Sequence, residues 1–398
     1  MNRRVLVLCE GIWLAHTARP LRIALALRDA GWDVHFGASG RFVELIKAEG
    51  FPVSSVATMD PAHALEMIRS GRIGYDRATV ELYLADELTL IRRTSPDVIL
   101  NDFRLPVALS GRLADVPFVN ILNAYWTNYY APRLRAPADF PLTRLLTRRV
   151  ATWLLPPVQR LMLAVYARPF NASASAHGLE PFGNIFDCMA SPYLNLICDL
   201  EDFMPMDAQP THFKHIGPIL WQPSAPPPAW LESVDTGRPV VYFSMGSTGF
   251  SRYYDLLRRA FAGTDFQVMI TTGGLDSPPM PENFFVAEMA PGLELTAKAD
   301  LVICHGGNGT IYQALYHGVP VIGIPTFHDQ DFNMQRVEDL GLGASLDPKK
   351  LDAASLRATA ERLCGDEAVK ERCMAIAAKV RQSDAAGIAV SLIEDLIS

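Results

Sequence analysis

Leu301-Val-Ile-Cys-His305-Gly-Gly-Asn-Gly-Thr310 runs on into Ile311-Tyr-Gln313-Ala-Leu-Tyr-His-Gly318-Val-Pro320. Four apolar residues read as a buried strand, the glycines as a tight turn, and the residues after Thr310 as a helix closed by Gly318. A strand that enters a helix through so short a turn is the repeating step of a parallel α/β sheet. The first N–H groups of such a helix lack intrahelical partners and carry the positive end of its dipole, so they attract phosphate oxygens. Glycine lets a ligand approach the backbone closely, and His305 and Thr310 can add polar contacts. Alone, such a turn marks a generic anion site.

The same alternation fills both halves of the chain. Strands are expected at 240–243, 266–270, 284–286, 301–304, 319–324 and 342–346, with helices between them and more after 352. Upstream, Val5–Cys9 reads as a strand, Pro20–Ala30 as a helix ended by Gly31, Asp33–Phe36 as a strand and Arg41–Glu49 as a helix. Leu84, Leu88 and Ile91 keep helical spacing until Ser95-Pro96 stops them. A strand at Asp97–Leu100, a helix over 105–115 and a strand at Phe118–Ile121 follow. Between 207 and 238 the pattern gives way to Pro218, Pro223, Pro226, Pro227 and Pro228, a semi-rigid linker. The expected architecture is α/β with two Rossmann-like, doubly wound domains facing a cleft: 1–218, a linker at 219–238, 239–380, and a last helix at 381–398 that can pack back on the first domain.

The 398 residues suit two such domains, and 49% hydrophobic with 20% charged residues is enough apolar surface for two cores. A net charge of −7 argues against a chain that coats nucleic acid. Six cysteines without a C-x-x-C pair read as reduced, buried thiols. The apolar run after Arg3 and Arg4 is cut off by Glu10, too short for a signal-peptide core, and a cytoplasmic location is expected. A dinucleotide-binding G-x-G-x-x-G after a strand is missing, which disfavours a nicotinamide enzyme.

Several motifs together carry a resemblance. His305-Gly-Gly-Asn-Gly-Thr310, Gly318-Val-Pro320, Asp329-Gln330 and Asn333 resemble, in order, the donor-binding signature of inverting GT-B glycosyltransferases of the UDP-glycosyltransferase family, especially bacterial members that glycosylate natural products of the macrolide type. Val240-Val-Tyr-Phe-Ser244-Met-Gly246-Ser247, His215-Ile-Gly217-Pro218, Pro96-Asp97-Val-Ile-Leu-Asn-Asp102 and Leu27-Arg-Asp-Ala-Gly31-Trp-Asp-Val34 are similar to other motifs of that family. Only about 125–190 stays unmatched.

The resemblance implies a metal-independent hexosyl transfer from a UDP- or dTDP-sugar to a hydroxyl of a small apolar acceptor, phenolic, polyketide or lipid-like, with the nucleotide sugar as co-substrate and no other cofactor. Ser244, Gly246, Ser247, His305, Gly307, Asn308, Gly309, Thr310, Gln313, Asp329 and Gln330 are the donor-side candidates, and Trp13, Trp126 and Tyr129 the acceptor-side ones. At the position where the family usually has a ribose-binding Glu, this chain has Gln313. No Trp lies between 284 and 304 to stack on a base. Asp329-Gln-Asp331 spells a metal-binding D-x-D, but it falls inside the better-matched Asp-Gln pair, so no metal is expected.

His16 is the candidate base, since an imidazole can take the proton of an attacking hydroxyl at neutral pH. Asp102 can orient it. A nucleotide-sugar 2-epimerase on the same architecture and a non-catalytic nucleotide-sugar-binding subunit are the alternatives; the first needs acidic residues in place of His16 and Asp102, the second loss of the base. Segment 133–168 sets seven arginines, among them Arg144, Arg149 and Arg160, against Asp139 alone, with Trp153, Leu161 and other apolar residues interleaved. Peripheral membrane contact is one reading of it and a solvated acceptor-side lid the other.

Overall fold

The computed structural model describes residues 3–69, 74–136, 143, 146–246 and 252–398. The chain separates into two compact units: Met1–Arg133 with Arg149–Ile219 and Asp384–Ser398, and Leu134–Arg148 with Leu220–Ser383.

The first unit holds β1 (Arg4–Cys9), α1 (Leu14–Asp29), β2 (Asp33–Gly37), α2 (Val43–Ala48), β3 (Val53–Ser54), α3 (Pro61–Arg69), α4 (Arg77–Thr94), β4 (Val98–Asp102), α5 (Val107–Ala114) and β5 (Phe118–Leu122); β3 and α3 add to the elements expected, and α1 starts at Leu14 with Pro20 inside it, not at Pro20. Then come α6 (Arg148–Tyr166), α7 (Arg168–Ala176), α8 (Ile185–Met189), β6 (Leu194–Ile197) and β7 (Phe213–His215). Every strand pair is parallel, in the order β3-β2-β1-β4-β5-β6-β7. Val98, Ile99 and Leu100 are fully buried, as a strand covered by helices on both faces requires.

The second unit holds β8 (Val240–Ser244), α9 (Arg252–Phe261), β9 (Gln267–Thr271), β10 (Phe284–Ala287), α10 (Gly292–Lys298), β11 (Leu301–Cys304), α11 (Asn308–Tyr316), β12 (Val321–Gly323), α12 (His328–Asp339), β13 (Gly343–Ser345), α13 (Ala353–Cys364) and α14 (Glu367–Gln382). Its six parallel strands run β10-β9-β8-β11-β12-β13. The last helix, α15 (Ala385–Leu396), returns to the first unit, where Ala385, Ala389 and Ile393 share a core with Leu21, Ala24 and Leu196.

Two further expectations change. Phe213–His215, inside the stretch that reads as linker, is the seventh strand of the first sheet, and His215 Nε2 bonds the Met204 carbonyl at 3.1 Å. Leu134–Arg148, expected in the first domain, belongs to the second unit. The backbone N–H of Arg135 donates to Gln335 Oε1 at 2.8 Å, and its guanidinium pairs with Asp339 and, at 3.5 Å, Glu338.

Candidate functional site

Both sheets reverse their strand order once, between β1 and β4 in the first and between β8 and β11 in the second, and open sheets bind ligands beyond the carboxyl ends of the strands at such points. Cys9 pairs with Asp102 at one reversal and Ser244 with Cys304 at the other. The candidate residues follow directly: His16 lies in the first turn of the helix after β1, Asp102 ends β4, and His305 follows β11.

In the first unit the structure joins His16 and Asp102. His16 Nδ1 lies 2.8 Å from Asp102 Oδ1, and Asp102 is fully buried while His16 keeps 19% of its side chain exposed. Asp102 can only accept, so a proton on Nδ1 satisfies that bond and frees Nε2 to act as a base; Arg19 Nη2 also lies 3.0 Å from Nδ1. Arg19, which sequence reasoning missed, completes the group. Its Nε donates to Asp102 Oδ2 at 2.9 Å and its Nη2 to Oδ1 at 2.6 Å, while Nη1 reaches Asn123 Oδ1 at 2.8 Å. Burial alone would lower the Arg19 pKa, but the adjacent Asp102 carboxylate more than reverses this, so the guanidinium stays charged. The signal was available: Arg19 stands three residues after His16, on the same helix face.

Phe103 stacks on the His16 ring, and Trp126 tilts against Phe103 with centroids 5.9 Å apart. Trp126 in turn meets Tyr125 and Phe186, so an aromatic wall stands beside the imidazole. Trp13 caps the same helix start, half-buried. Tyr129 shares a pocket with Phe186, the ring that meets Trp126. It packs edge-on against Phe213 in a pocket of about 400 Å³ lined also by Phe118, Phe182 and His212, and none of its described ring contacts is with His16, Phe103 or Trp126.

In the second unit the glycine-rich turn is built around His305. A Cβ on Gly246, which has φ +61°, would fall 2.7 Å from His305 Cε1, and one on Gly307 would fall 2.4 Å from Nε2, so glycine at both positions makes room for the ring. The ring bonds the Ser244 backbone, its Nδ1 is enclosed without a hydrogen-bond partner, and burial pushes its pKa down to about 4. At neutral pH it is therefore uncharged. Gly307 is the N-cap of α11, so Asn308, Gly309 and Thr310 form the first turn, whose N–H groups have no helical acceptor. Asn333 Nδ2 ties the turn down through the Gly306 carbonyl at 3.0 Å. Ser247 lies outside the described residues.

Gln313 and Gln330 each engage the neighbouring backbone through one amide atom. Gln313 Nε2 donates to the Trp221 carbonyl at 2.9 Å, and its amide lies so close over Gly292 that a Cβ there would be 2.3 Å from Oε1. Gln330 Oε1 accepts from the Thr326 and Phe327 N–H groups at 2.8 and 3.2 Å, capping α12. That oxygen also accepts from the Thr326 hydroxyl at 3.0 Å. Asp329 occupies the first turn of the same helix. Among the described residues no three His, Cys, Asp or Glu side chains gather as a metal site would require.

Comparison with known proteins fits this geometry. Residues 259–394 match the family model for the erythromycin biosynthesis protein CIII-like C-terminal domain. A "PGL/p-HBAD biosynthesis glycosyltransferase" of Mycobacterium tuberculosis is 32% identical over 364 residues, covering 91% of this chain and 85% of the relative. The chain belongs to the GT-B glycosyltransferases. A "PGL/p-HBAD biosynthesis rhamnosyltransferase" of Mycobacterium bovis is 33% identical to this glycosyltransferase over 352 residues, 88% of this chain and 78% of the relative. The structure of a spinosyn rhamnosyltransferase complexed with thymidine diphosphate shares the fold, with a TM-score of 0.73 at 18% identity over 98% of this chain and all of the other.

Proposed function

We propose that this glycosyltransferase moves a hexose, from a UDP- or dTDP-sugar, to a hydroxyl of a small apolar acceptor with inversion at the anomeric carbon. The observation that carries the reading is the buried Asp102 carboxylate bonded to His16 Nδ1. His16 Nε2 takes the proton of the acceptor hydroxyl as its oxygen attacks the anomeric carbon, and Asp102 stabilises the imidazolium that forms. The bond from the anomeric carbon to the diphosphate oxygen breaks on the opposite face, and the nucleoside diphosphate leaves. The first turn of α11 receives its charge through backbone N–H groups, with His305 as a neutral neighbour, so the chemistry requires no metal and no cofactor besides the co-substrate.

The aromatic wall of Phe103 and Trp126 favours a flat, apolar acceptor such as a phenol. The rhamnosyltransferase relative favours a deoxyhexose as the sugar, and the thymidine diphosphate of the spinosyn enzyme favours dTDP as its carrier. The test is incubation with UDP- and dTDP-hexoses and a panel of phenolic, polyketide and lipid acceptors, with and without a chelator, read by mass spectrometry. A product heavier by one hexosyl unit, formed equally with chelator present, is expected. Transfer that stops with chelator and returns with Mg²⁺ would overturn the metal-free mechanism, and epimerised donor without any transfer would overturn the reaction.

A further inference from the structure

Helix α6 presents an exposed apolar stripe. Trp153 is 69% and Leu161 67% exposed, with Val150 and Val165 also exposed, so one helix supplies four of the ten exposed large hydrophobic side chains among the described residues. At 100° per residue, Val150, Trp153, Pro157, Leu161 and Ala164 fall on one side of the helix, while Ala151 and Leu155 are buried on the other. Arg149 and Arg160 follow one edge of the stripe.

The sequence through and beside the helix is one-sided in charge. From residue 140 to 179 the sequence has five arginines (Arg144, Arg148, Arg149, Arg160 and Arg168) and no Asp or Glu, in a chain whose net charge is −7. Arg144 and residues 137–142, which include Asp139, lie outside the described residues, and the sequence alone carries their charge here. A basic, Trp-bearing apolar stripe is complementary to an anionic lipid surface, where the apolar residues enter the headgroup boundary and the arginines meet phosphate.

We propose that α6 is a peripheral docking face for anionic membrane, and that the enzyme works at a lipid surface through it. The helix lies on the membrane and does not cross it. No helix of the described residues is long and apolar enough to span, and Pro156 and Pro157 withhold two N–H groups that a helix in hydrocarbon would need for its own carbonyls. The inference concerns binding and does not depend on which sugar or acceptor the enzyme takes.

The test is co-sedimentation of the full chain with vesicles of pure phosphatidylcholine and with vesicles holding about a third phosphatidylglycerol, at low and high salt, in parallel with transfer to a water-soluble acceptor. Binding to the anionic vesicles only, weakened by salt, is expected. Trp153→Ser with Leu161→Ser should abolish it, and Arg149→Glu with Arg160→Glu should lower it by more than about tenfold, while both keep transfer to the soluble acceptor. Equal binding to both vesicle types, or anionic binding unchanged in both variants, would overturn the proposal. So would a wild-type dimer in sedimentation velocity that the Trp153→Ser, Leu161→Ser variant dissociates, because the stripe would then be covered by a second copy.

Discussion

The imidazole of His16 lies parallel to the ring of Phe103, with centroids 4.4 Å apart and planes inclined by 14°. Phe103 follows Asp102 directly and has φ +58°, the left-handed region that a bulky side chain occupies at a cost of about 1–2 kcal/mol. One dipeptide thus gives His16 both its carboxylate partner and its stacking surface. Phe103→Asn, which tolerates that backbone but lacks the ring, should keep or raise Tm while lowering kcat by about 10–10²-fold through a looser imidazole. Unchanged kcat with unchanged donor KM would mean that the stack does not position the base.

His16→Ala removes the proton acceptor and leaves the second unit untouched. We expect kcat to fall by ~10²–10⁴, the range for a general base, with nucleoside diphosphate affinity by calorimetry unchanged. Full turnover in this variant would remove His16 from the mechanism.

Arg19 is buried against the Asp102 carboxylate through two hydrogen bonds. Arg19→Leu strands that charge in the core and should cost roughly 3–5 kcal/mol in denaturant unfolding. Adding Asp102→Asn removes the stranded charge and should recover part of the loss. If the two substitutions are additive, the pair does not hold the site together.

The sequence showed the strand-helix alternation because buried parallel strands are continuous apolar runs, such as Val240–Phe243 and Leu301–Cys304, and because glycines and prolines punctuate them. The pairing of His16 with Asp102 could also be anticipated, since both follow strands that meet at a topological reversal. Phe103 could not, because a left-handed phenylalanine is fixed by its surroundings and has no sequence mark. The roles of Gln313 and Gln330 were hidden for a similar reason. An amide is equally suited to a ligand or to a neighbouring backbone group, and only the fold shows that Trp221 and Thr326 are within reach. Phe213–His215 was obscured by its length of three residues, too short for periodicity to register.

Burial holds His305 down from 6.5 to about 4, so between those values the unfolded chain binds a proton that the folded chain refuses. Stability therefore falls as the pH is lowered through that window and gains nothing from this group above it. His305→Asn should show a smaller loss of unfolding free energy between pH 7 and pH 5 than the wild type, and an equal loss would assign the slope to other groups. His305→Ala should also weaken nucleoside diphosphate binding by about 1.5–3 kcal/mol if the ring contacts the diphosphate, the scale of a hydrogen bond to a charged group. Unchanged affinity by calorimetry would sink that contact.

Gln313 combines two demands that Glu cannot meet at once. Its NH₂ group donates to the Trp221 carbonyl, a contact that a carboxylate would turn into a repulsion between two acceptors. A carboxylate accepts ribose hydroxyls more strongly than an amide, by up to about 1 kcal/mol per bond. If residue 313 faces the ribose, Gln313→Glu should tighten UDP, whose ribose has both hydroxyls, and change dTDP little, because its sugar lacks the 2′-hydroxyl. If the amide serves only to hold Trp221 in place, the substitution should lower Tm and weaken both nucleotides alike. Calorimetry with UDP and dTDP before and after the change, alongside thermal unfolding, separates the two. A uniform loss would make Gln313 a clamp on the chain around Trp221, and nucleotide choice would then have to lie with other residues.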